Sequence, residues 1–405
     1  PIKGNGFSTS TLLDAGCNDA DFVITVTGKD EINMLCCLTA KKLGAKHTAA
    51  RIRDPKYARE LLLIKEDLGL DMVINPEEAS ADEIARLLTI PGAIKIQNFA
   101  KGRVRMMDFI VKEDMPIAGM QLKSIASIYN IPILIGAVTR QNELIIPNGD
   151  FKIEVGDSVF IIGKTADVYS FSKILSPNPT KVRNVMIVGG SKIAYYLARL
   201  LGQMHIKVKI IEKDEAICEV LAEDLPQALI INGDGTDEEL LKEEGIQSAE
   251  SFVPLTGIDE ENIMLTLFAR QVSNAKVVTK INHITFKNVI SNLDLGSVFY
   301  PRYITSEAII AYARAKKNSL GSNIETLYHM FDARVEAIEF RVRNASKVTN
   351  TPLMELSLKK NLLITFINRN GSIIIPSGQD SIHVGDTVMV VTTHTGFNDI
   401  IDILE

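Results

Sequence analysis

A short apolar run, Val185 to Val188, leads into Gly189-Gly190-Ser191-Lys192-Ile193-Ala194, which approximates G-x-G-x-x-G/A with Ser191 at the second glycine and Ala194 at the third. A strand that ends in a tight glycine turn and opens a helix aims backbone N–H groups and the positive end of a helix dipole at one point. That arrangement holds a pyrophosphate. The helix is expected to open at Tyr195. The Cβ of Ser191 narrows the approach of a diphosphate, while its hydroxyl offers a further donor. Lys192 has two readings, a solvated first-turn lysine or a charge-assisted donor to a phosphate.

Glu212 stands 23 residues after Gly189, at the end of the next apolar run, near the spacing of about 20 expected for the acid that holds ribose hydroxyls. A carboxylate there repels a 2'-phosphate and favours NAD(H) over NADP(H), tempered by the neighbouring Lys213; ATP or ADP fits equally well. Asp234, flanked by Gly233 and Gly235, either faces an adenine amino group or shapes its own turn. Thr256-Gly257 ends a fourth apolar run on the same carboxyl edge, where ligands of open α/β sheets lie. Asp259 reads as a helix cap through its side-chain oxygen.

The elements that position these residues are repeated. Gly4-Asn5-Gly6 returns as Gly233-Asp234-Gly235, an offset of 229, and the same offset carries Thr27-Gly28-Lys29-Asp30-Glu31-Ile32-Asn33 onto Thr256-Gly257-Ile258-Asp259-Glu260-Glu261-Asn262 and Arg51 onto Lys280. Ile146-Pro147 with Val155-Gly156-Asp157-Ser158-Val159 returns as Ile375-Pro376 with Val384-Gly385-Asp386-Thr387-Val388. Asp157 and Asp386 read as turn residues before a strand. The chain is therefore a tandem duplication of a bipartite unit, joined through Leu175 to Thr180 with its Pro177 and Pro179.

In the second copy Val185 to Val188, Val208 to Ile211, Leu229 to Ile231, Ser251 to Leu255 and Val277 to Ile281 read as strands of a parallel sheet buried on both faces. Pro254 removes one ladder donor from it. The fold class is α/β, with tandem Rossmann-like domains at 1–95 and 181–318, each followed by a small α/β domain, at 96–178 and 322–405. The small domain places strands near Ile133 to Val138 and Ser158 to Ile162. It offers no evident catalytic group.

The chain has 405 residues, 46% hydrophobic and 23% charged, with a net charge of -6. No basic stripe with interleaved aromatics occurs, which argues against nucleic acid as partner. No apolar run reaches the roughly 18 residues of a membrane helix, and the N-terminus lacks the charged n-region and apolar h-region of a signal peptide, so a soluble, cytoplasmic location is expected. The four cysteines, Cys17, Cys36, Cys37 and Cys218, form no C-x-x-C pair and read as reduced core thiols.

Together, GGSKIA after a strand, IIEKD, GDG, LTGIDEEN and the IIPxG…VGD tail, duplicated in one chain, resemble the TrkA family of peripheral subunits of Trk potassium-uptake systems, built from two RCK (KTN) domains each followed by an RCK-C domain. The resemblance covers nearly the whole chain. It implies NAD(H) or ATP/ADP as ligands, a homo-tetramer or dimer of dimers, and attachment on the inner face of the cell membrane to a membrane-embedded potassium-conducting Trk-type subunit. Carried over, the contacts are Gly189, Gly190, Ser191, Lys192, Ile193, Ala194, Glu212, Lys213, Gly233, Asp234, Thr256 and Gly257 in the second copy, and Asn5, Thr27, Gly28 and Arg51 in the first. Ser191 and Ala194 replace family glycines.

The second copy has 52 residues from 181 to its Gly-Asp-Gly loop where the first has three, so only the far wall of the first site is expected, and Pro1 is expected to lie inside a longer chain. Regulators of potassium efflux systems and other RCK-gated channels use the same modules. An NAD-dependent dehydrogenase is disfavoured, since the six histidines (His47, His205, His283, His329, His383, His394) are scattered and form no acid/base pair, so no catalytic or metal-binding residue is assigned. No G-x-x-x-x-G-K-[ST] occurs.

Overall fold

The computed structural model describes residues 1–90, 92–141, 143–175, 182–283, 290, 293–318, 323–330 and 335–405. The proline-containing junction at 176–180, and with it the boundaries placed at 178 and 181, lies outside the described residues. The chain divides into two compact units, one of Pro1–Ala85 with Val182–Ala313, the other of Arg86–Lys181 with Arg314–Glu405. Like modules thus share a unit although they are distant in sequence.

In the first unit the second copy forms six parallel strands in the spatial order Ala228–Asn232, Lys207–Glu212, Asn184–Val188, Ser251–Pro254, Lys276–Lys280, Ser297–Phe299. Numbered along the chain this is 3-2-1-4-5-6, the order of a dinucleotide-binding sheet, and its switch point lies between Asn184–Val188 and Ser251–Pro254. The strands are apolar because helices cover both faces: Val185, Met186, Ile187 and Val188 are all buried. The strand Ser297–Phe299 was not expected. Pro254 does not break the sheet; it stays in register with Val188, and Leu255 N–H completes the ladder on Val188 O at 2.7 Å, while pairing toward Lys276–Lys280 stops at Phe252.

The first copy supplies three parallel strands, Phe22–Thr25, His47–Arg51 and Met72–Ile74, equivalent to the last three of the six. The duplication extends to single hydrogen bonds. Asn33 accepts from Thr27 N–H and donates to Thr27 O and Arg51 O; Asn262 does the same with Thr256 N–H, Thr256 O and Lys280 O.

The second unit holds two five-stranded antiparallel sheets, one ordered Lys95–Phe99, Val104–Ile110, Ser158–Lys164, Ile133–Arg140, Glu143–Ile145 and one ordered Ile324–Met330, Val335–Arg341, Thr387–Thr392, Leu362–Arg369, Ser372–Ile374. Helices Leu122–Tyr129 and Thr165–Leu175 accompany the first sheet, and 3-10 turns Leu353–Glu355 and Ile400–Ile403 the second. One apolar core is common to both sheets, with Val104, Met106 and Phe160 beside Ala337, Phe366 and Met389. Asp157 and Asp386 precede strands as expected, and each accepts a two-pronged bond, from Arg140 and Arg369 respectively.

Candidate functional site

The expected phosphate turn lies at the carboxyl end of Asn184–Val188. Gly189 has φ +100, and a Cβ on it would sit 3.0 Å from the carbonyl carbon and oxygen of Leu255, so the position demands glycine twice over. Its N–H donates to Ile211 O at 2.8 Å. Gly190 N–H donates to Glu212 Oε2 at 2.5 Å, and Asp214 N–H to Glu212 Oε1 at 2.8 Å. Glu212 therefore ties the glycine turn to the end of the neighbouring strand, and each carboxylate oxygen keeps acceptor capacity for a ligand hydroxyl.

The helix is Lys192–Gln203, opening three residues earlier than the sequence suggests. Ser191 causes the difference. Its extended backbone makes it the N-cap, with its Oγ accepting a long 3.4 Å bond from Ala194 N–H and its carbonyl taking Tyr195 N–H at 3.0 Å. The N–H groups of Lys192 and Ile193 are left without partners among the described residues, at the positive end of the helix. The side chains of Ile193 and Ala194 are buried with Leu197 and Leu201, so these residues offer backbone only.

Lys192 is exposed, and its Nζ lies 3.6 Å from Asp54 Oδ2 of the first copy. It lines a cleft of about 580 Å³ with Gly28, Arg53 and Tyr57. Gly233 N–H donates to Glu212 O at 2.9 Å. Asp234 takes the turn role: Oδ1 accepts from Thr236 N–H at 2.9 Å and Thr236 Oγ at 2.8 Å. Those bonds, with the Lys213 charge, hold its carboxyl below the usual range. Thr256 N–H donates to Asn262 Oδ1 at 3.0 Å, and Gly257 faces open space.

Gly189, Gly190, Glu212, Gly233 and Thr256 are thus brought to one edge, with Lys213 and Asp234 on its exposed rim. In the first copy Thr27, Gly28 and Arg51 stand together: an Arg51 guanidinium nitrogen donates to Val26 O at 3.1 Å and Thr27 O at 2.8 Å. Asn5 is held by its own loop, through Phe7 N–H and Ser8 N–H. Asp259 is not the cap expected of it. Its carboxylate reaches across to the next strand end and accepts from Asn282 N–H and His283 N–H, and Ile258 is the N-cap.

Lys280, which pairs with Arg51 in the repeat, stands at the same edge, its Nζ donating to Thr256 O at 2.7 Å. The arrangement fits an adenine nucleotide on its own chemistry. Free N–H donors at a helix N-terminus suit a phosphate, and a half-buried carboxylate at the end of the second strand suits a ribose diol.

A sequence model of the TrkA-N domain matches residues 1–76 and 185–301, and one of the TrkA-C domain matches 106–176 and 337–405. The chain is 33% identical to the Trk system potassium uptake protein TrkA homolog of Archaeoglobus fulgidus, over 96% of this chain and 86% of that one. It is 32% identical to the Trk system potassium uptake protein TrkA of Haemophilus influenzae, over 96% and 85%. Among solved structures, the GsuK RCK domain superposes with a TM-score of 0.61 at 17% identity, covering 96% of this chain and 81% of that one. The GsuK channel bound to NAD superposes at 0.60 and 17% identity, over 96% and 68%. These structures share its fold.

Proposed function

Because the chain belongs to the TrkA family of potassium-uptake proteins, we propose that it is a regulatory subunit that binds NAD(H) or ATP/ADP at the carboxyl edge of its six-stranded sheet and gates a membrane potassium-conducting subunit of the Trk type. The observation that carries this reading is the Glu212 carboxylate, fixed by Gly190 and Asp214 N–H groups beside the open N-terminus of Lys192–Gln203. Lys192 and Ile193 N–H groups hold phosphate oxygens. Glu212 holds the ribose hydroxyls and disfavours a 2'-phosphate. Lys192, at 3.6 Å from Asp54, sits where a phosphate would compete for its ammonium group, so ligand charge and first-copy contacts are linked within one compact unit.

The NAD in one GsuK structure supports the dinucleotide as a candidate. The assembly proposed is a homo-tetramer or dimer of dimers on the inner face of the cell membrane. Moving such a two-state assembly from 1:99 to 99:1 takes about 5.5 kcal/mol of differential binding, or about 1.4 kcal/mol from each of four sites. No helix of the described residues is long and apolar enough to cross a membrane.

The test is calorimetric titration of the full chain with NADH, NAD, ATP and ADP, beside Glu212→Ala. At least one nucleotide is expected to bind, with about tenfold loss in the variant, equivalent to about 1.4 kcal/mol. A thermal melt of each sample separates lost contact from lost fold. Failure of all four ligands to bind the parent chain removes the proposal.

A further inference from the structure

We propose that Tyr196 is a positioning residue between the nucleotide site and the first copy: its hydroxyl ties the helix that opens the phosphate site to the cap of the first-copy helix Pro76–Thr89, so that a phosphate held at Lys192 is felt at Asn75. The inference rests on the nucleotide reading above and adds to it the contact through which a bound ligand acts on the first copy.

Tyr196 lies one turn inside the helix Lys192–Gln203 and is 4% exposed. Its hydroxyl accepts from Asn75 Nδ2 at 2.8 Å and donates to Arg53 O at 3.2 Å. A phenol has one proton and an amide nitrogen can only donate, so both roles are fixed. Burial pushes the phenol up to about 12, which keeps that proton in place. Asn75 is committed on its other side: its Oδ1 accepts from Glu78 N–H at 3.0 Å and its carbonyl from Ala79 N–H at 3.1 Å, which makes it the N-cap of Pro76–Thr89. One amide group thus caps one helix and grips the other.

Spacing along the helix gives these contacts a direction. Lys192 and Tyr196 are four residues apart and share a face, and they meet consecutive residues of the first copy: Lys192 Nζ lies 3.6 Å from Asp54 Oδ2, and the Tyr196 hydroxyl bonds the Arg53 carbonyl. Arg199 and Gln203 continue that face and line a cleft of about 170 Å³ with Glu78 and Asp82 of Pro76–Thr89. Among the described residues, the polar contacts from Lys192–Gln203 to the first copy are the Lys192 pair and the two bonds of the Tyr196 hydroxyl. A phosphate at the helix N-terminus competes with Asp54 for the Lys192 ammonium group, which leaves the hydroxyl to hold the helix against the first copy.

A phenylalanine would bury the same ring without taking a hydroxyl out of water, so the hydroxyl is accounted for by what it positions and not by the core its ring fills. Its two partners stand at the ends of neighbouring strands, Arg53 after His47–Arg51 and Asn75 after Met72–Ile74. The hydroxyl therefore touches the carboxyl edge of the first copy at two points. The helix that Asn75 caps runs from the first compact unit, which includes Ala85, to Thr89 in the second. A displacement imposed at its cap is carried along one hydrogen-bonded element out of the nucleotide unit.

The experiment measures calorimetric binding of NADH and ATP to the full chain and to its Tyr196→Phe and Asn75→Ser variants, and the hydrogen exchange of each, read by mass spectrometry with and without nucleotide. In the parent, ligand is expected to raise protection in 192–203 and in 76–89. Tyr196→Phe is expected to bind within about threefold of the parent and to keep the response in 192–203, while the response in 76–89 is lost. Asn75→Ser retains an oxygen to cap Glu78 N–H but has no amide to reach Tyr196, and it is expected to lose the same response. A tyrosine that only filled the core would, on losing its hydroxyl, lower the thermal midpoint and leave the ligand response in 76–89 as it is in the parent. That outcome overturns the inference, as does a parent that binds nucleotide with no change in 76–89, and both leave the nucleotide reading intact. No binding of either nucleotide to the parent overturns both. If Tyr196→Phe fails to fold, Asn75→Ser decides: loss of the response supports the assignment, and its persistence overturns it.

Discussion

Asp157 is 1% exposed, and Arg140 reaches it with two nitrogens, Nε to Oδ1 and a terminal nitrogen to Oδ2, both at 2.8 Å, while Glu154 N–H caps Oδ2 at 2.8 Å. Asp386, Arg369 and His383 N–H repeat the arrangement. Arg140→Met leaves a buried carboxylate without its counter-charge, and the expected loss is about 3 kcal/mol in a urea titration followed by circular dichroism. Burial raises the Asp157 carboxyl, but the Arg140 fork and the Glu154 N–H outweigh it and hold it below the usual range. A folded value below the unfolded one means that this stability is fully present above an unfolded pKa of about 3.9 and is lost as pH falls through the folded value. Acid unfolding of the parent is therefore expected to begin below about pH 4 in this unit, and in Arg140→Met at a higher pH. At this scale the sequence was legible where a residue acts through its neighbours, as Asp234 does with Thr236. It was not where the partner lies elsewhere in the chain: Arg140 is 17 residues from Asp157. Asp259 looked like a cap because an aspartate that opens a helix has the same local signature whether its carboxylate turns back to its own helix or across to Asn282.

The glycine turn and its helix are one element in which conformation and contact coincide. Gly189→Ala forces a side chain into φ +100 and against the Leu255 carbonyl, with an expected destabilisation of about 2 kcal/mol and weaker nucleotide binding. Ser191→Ala removes a cap whose bond is long at 3.4 Å, so the expected loss is only about 0.5 kcal/mol, at the lower end of measured caps. Thermal melts of the two variants separate these effects: the glycine replacement shifts the midpoint by several degrees, the serine replacement by one or two at most. Five strands of the six-stranded sheet were readable because parallel strands buried on both faces are continuous apolar runs. Ser297–Phe299 was not, since three residues carry too little pattern. The helix start was misplaced for a related reason. Ser191 was weighed for what its Cβ blocks and its hydroxyl donates, whereas its oxygen accepts from Ala194 and starts the helix at Lys192.

Across the whole molecule, the duplication legible in sequence does not fold as two successive halves. Residues 1–85 share a unit with 182–313, and 86–181 with 314–405, so each unit is made of one module from each copy. Linear order showed the repeat and said nothing of this exchange, because surface that one module buries against its counterpart looks in sequence like any other core. In the second unit the shared core is explicit: Phe366 is fully buried among residues of both sheets, Phe99 meets Tyr328 edge to face at 4.6 Å, and Arg103 donates to Gly371 O at 2.7 Å. If the two sheets formed independent cores, Phe366→Ala would loosen Leu362–Arg369 and its neighbours and leave Val104–Ile110 protected. With one core between them, the cavity is felt on both sides, at about 3–5 kcal/mol. Native-state hydrogen exchange read by mass spectrometry is expected to show lost protection in Val104–Ile110 and Ser158–Lys164 as well as in Leu362–Arg369 and Thr387–Thr392. Protection lost in the second sheet alone would mean that each sheet keeps a separate core, and that the pairing of modules is a contact and not a folding unit.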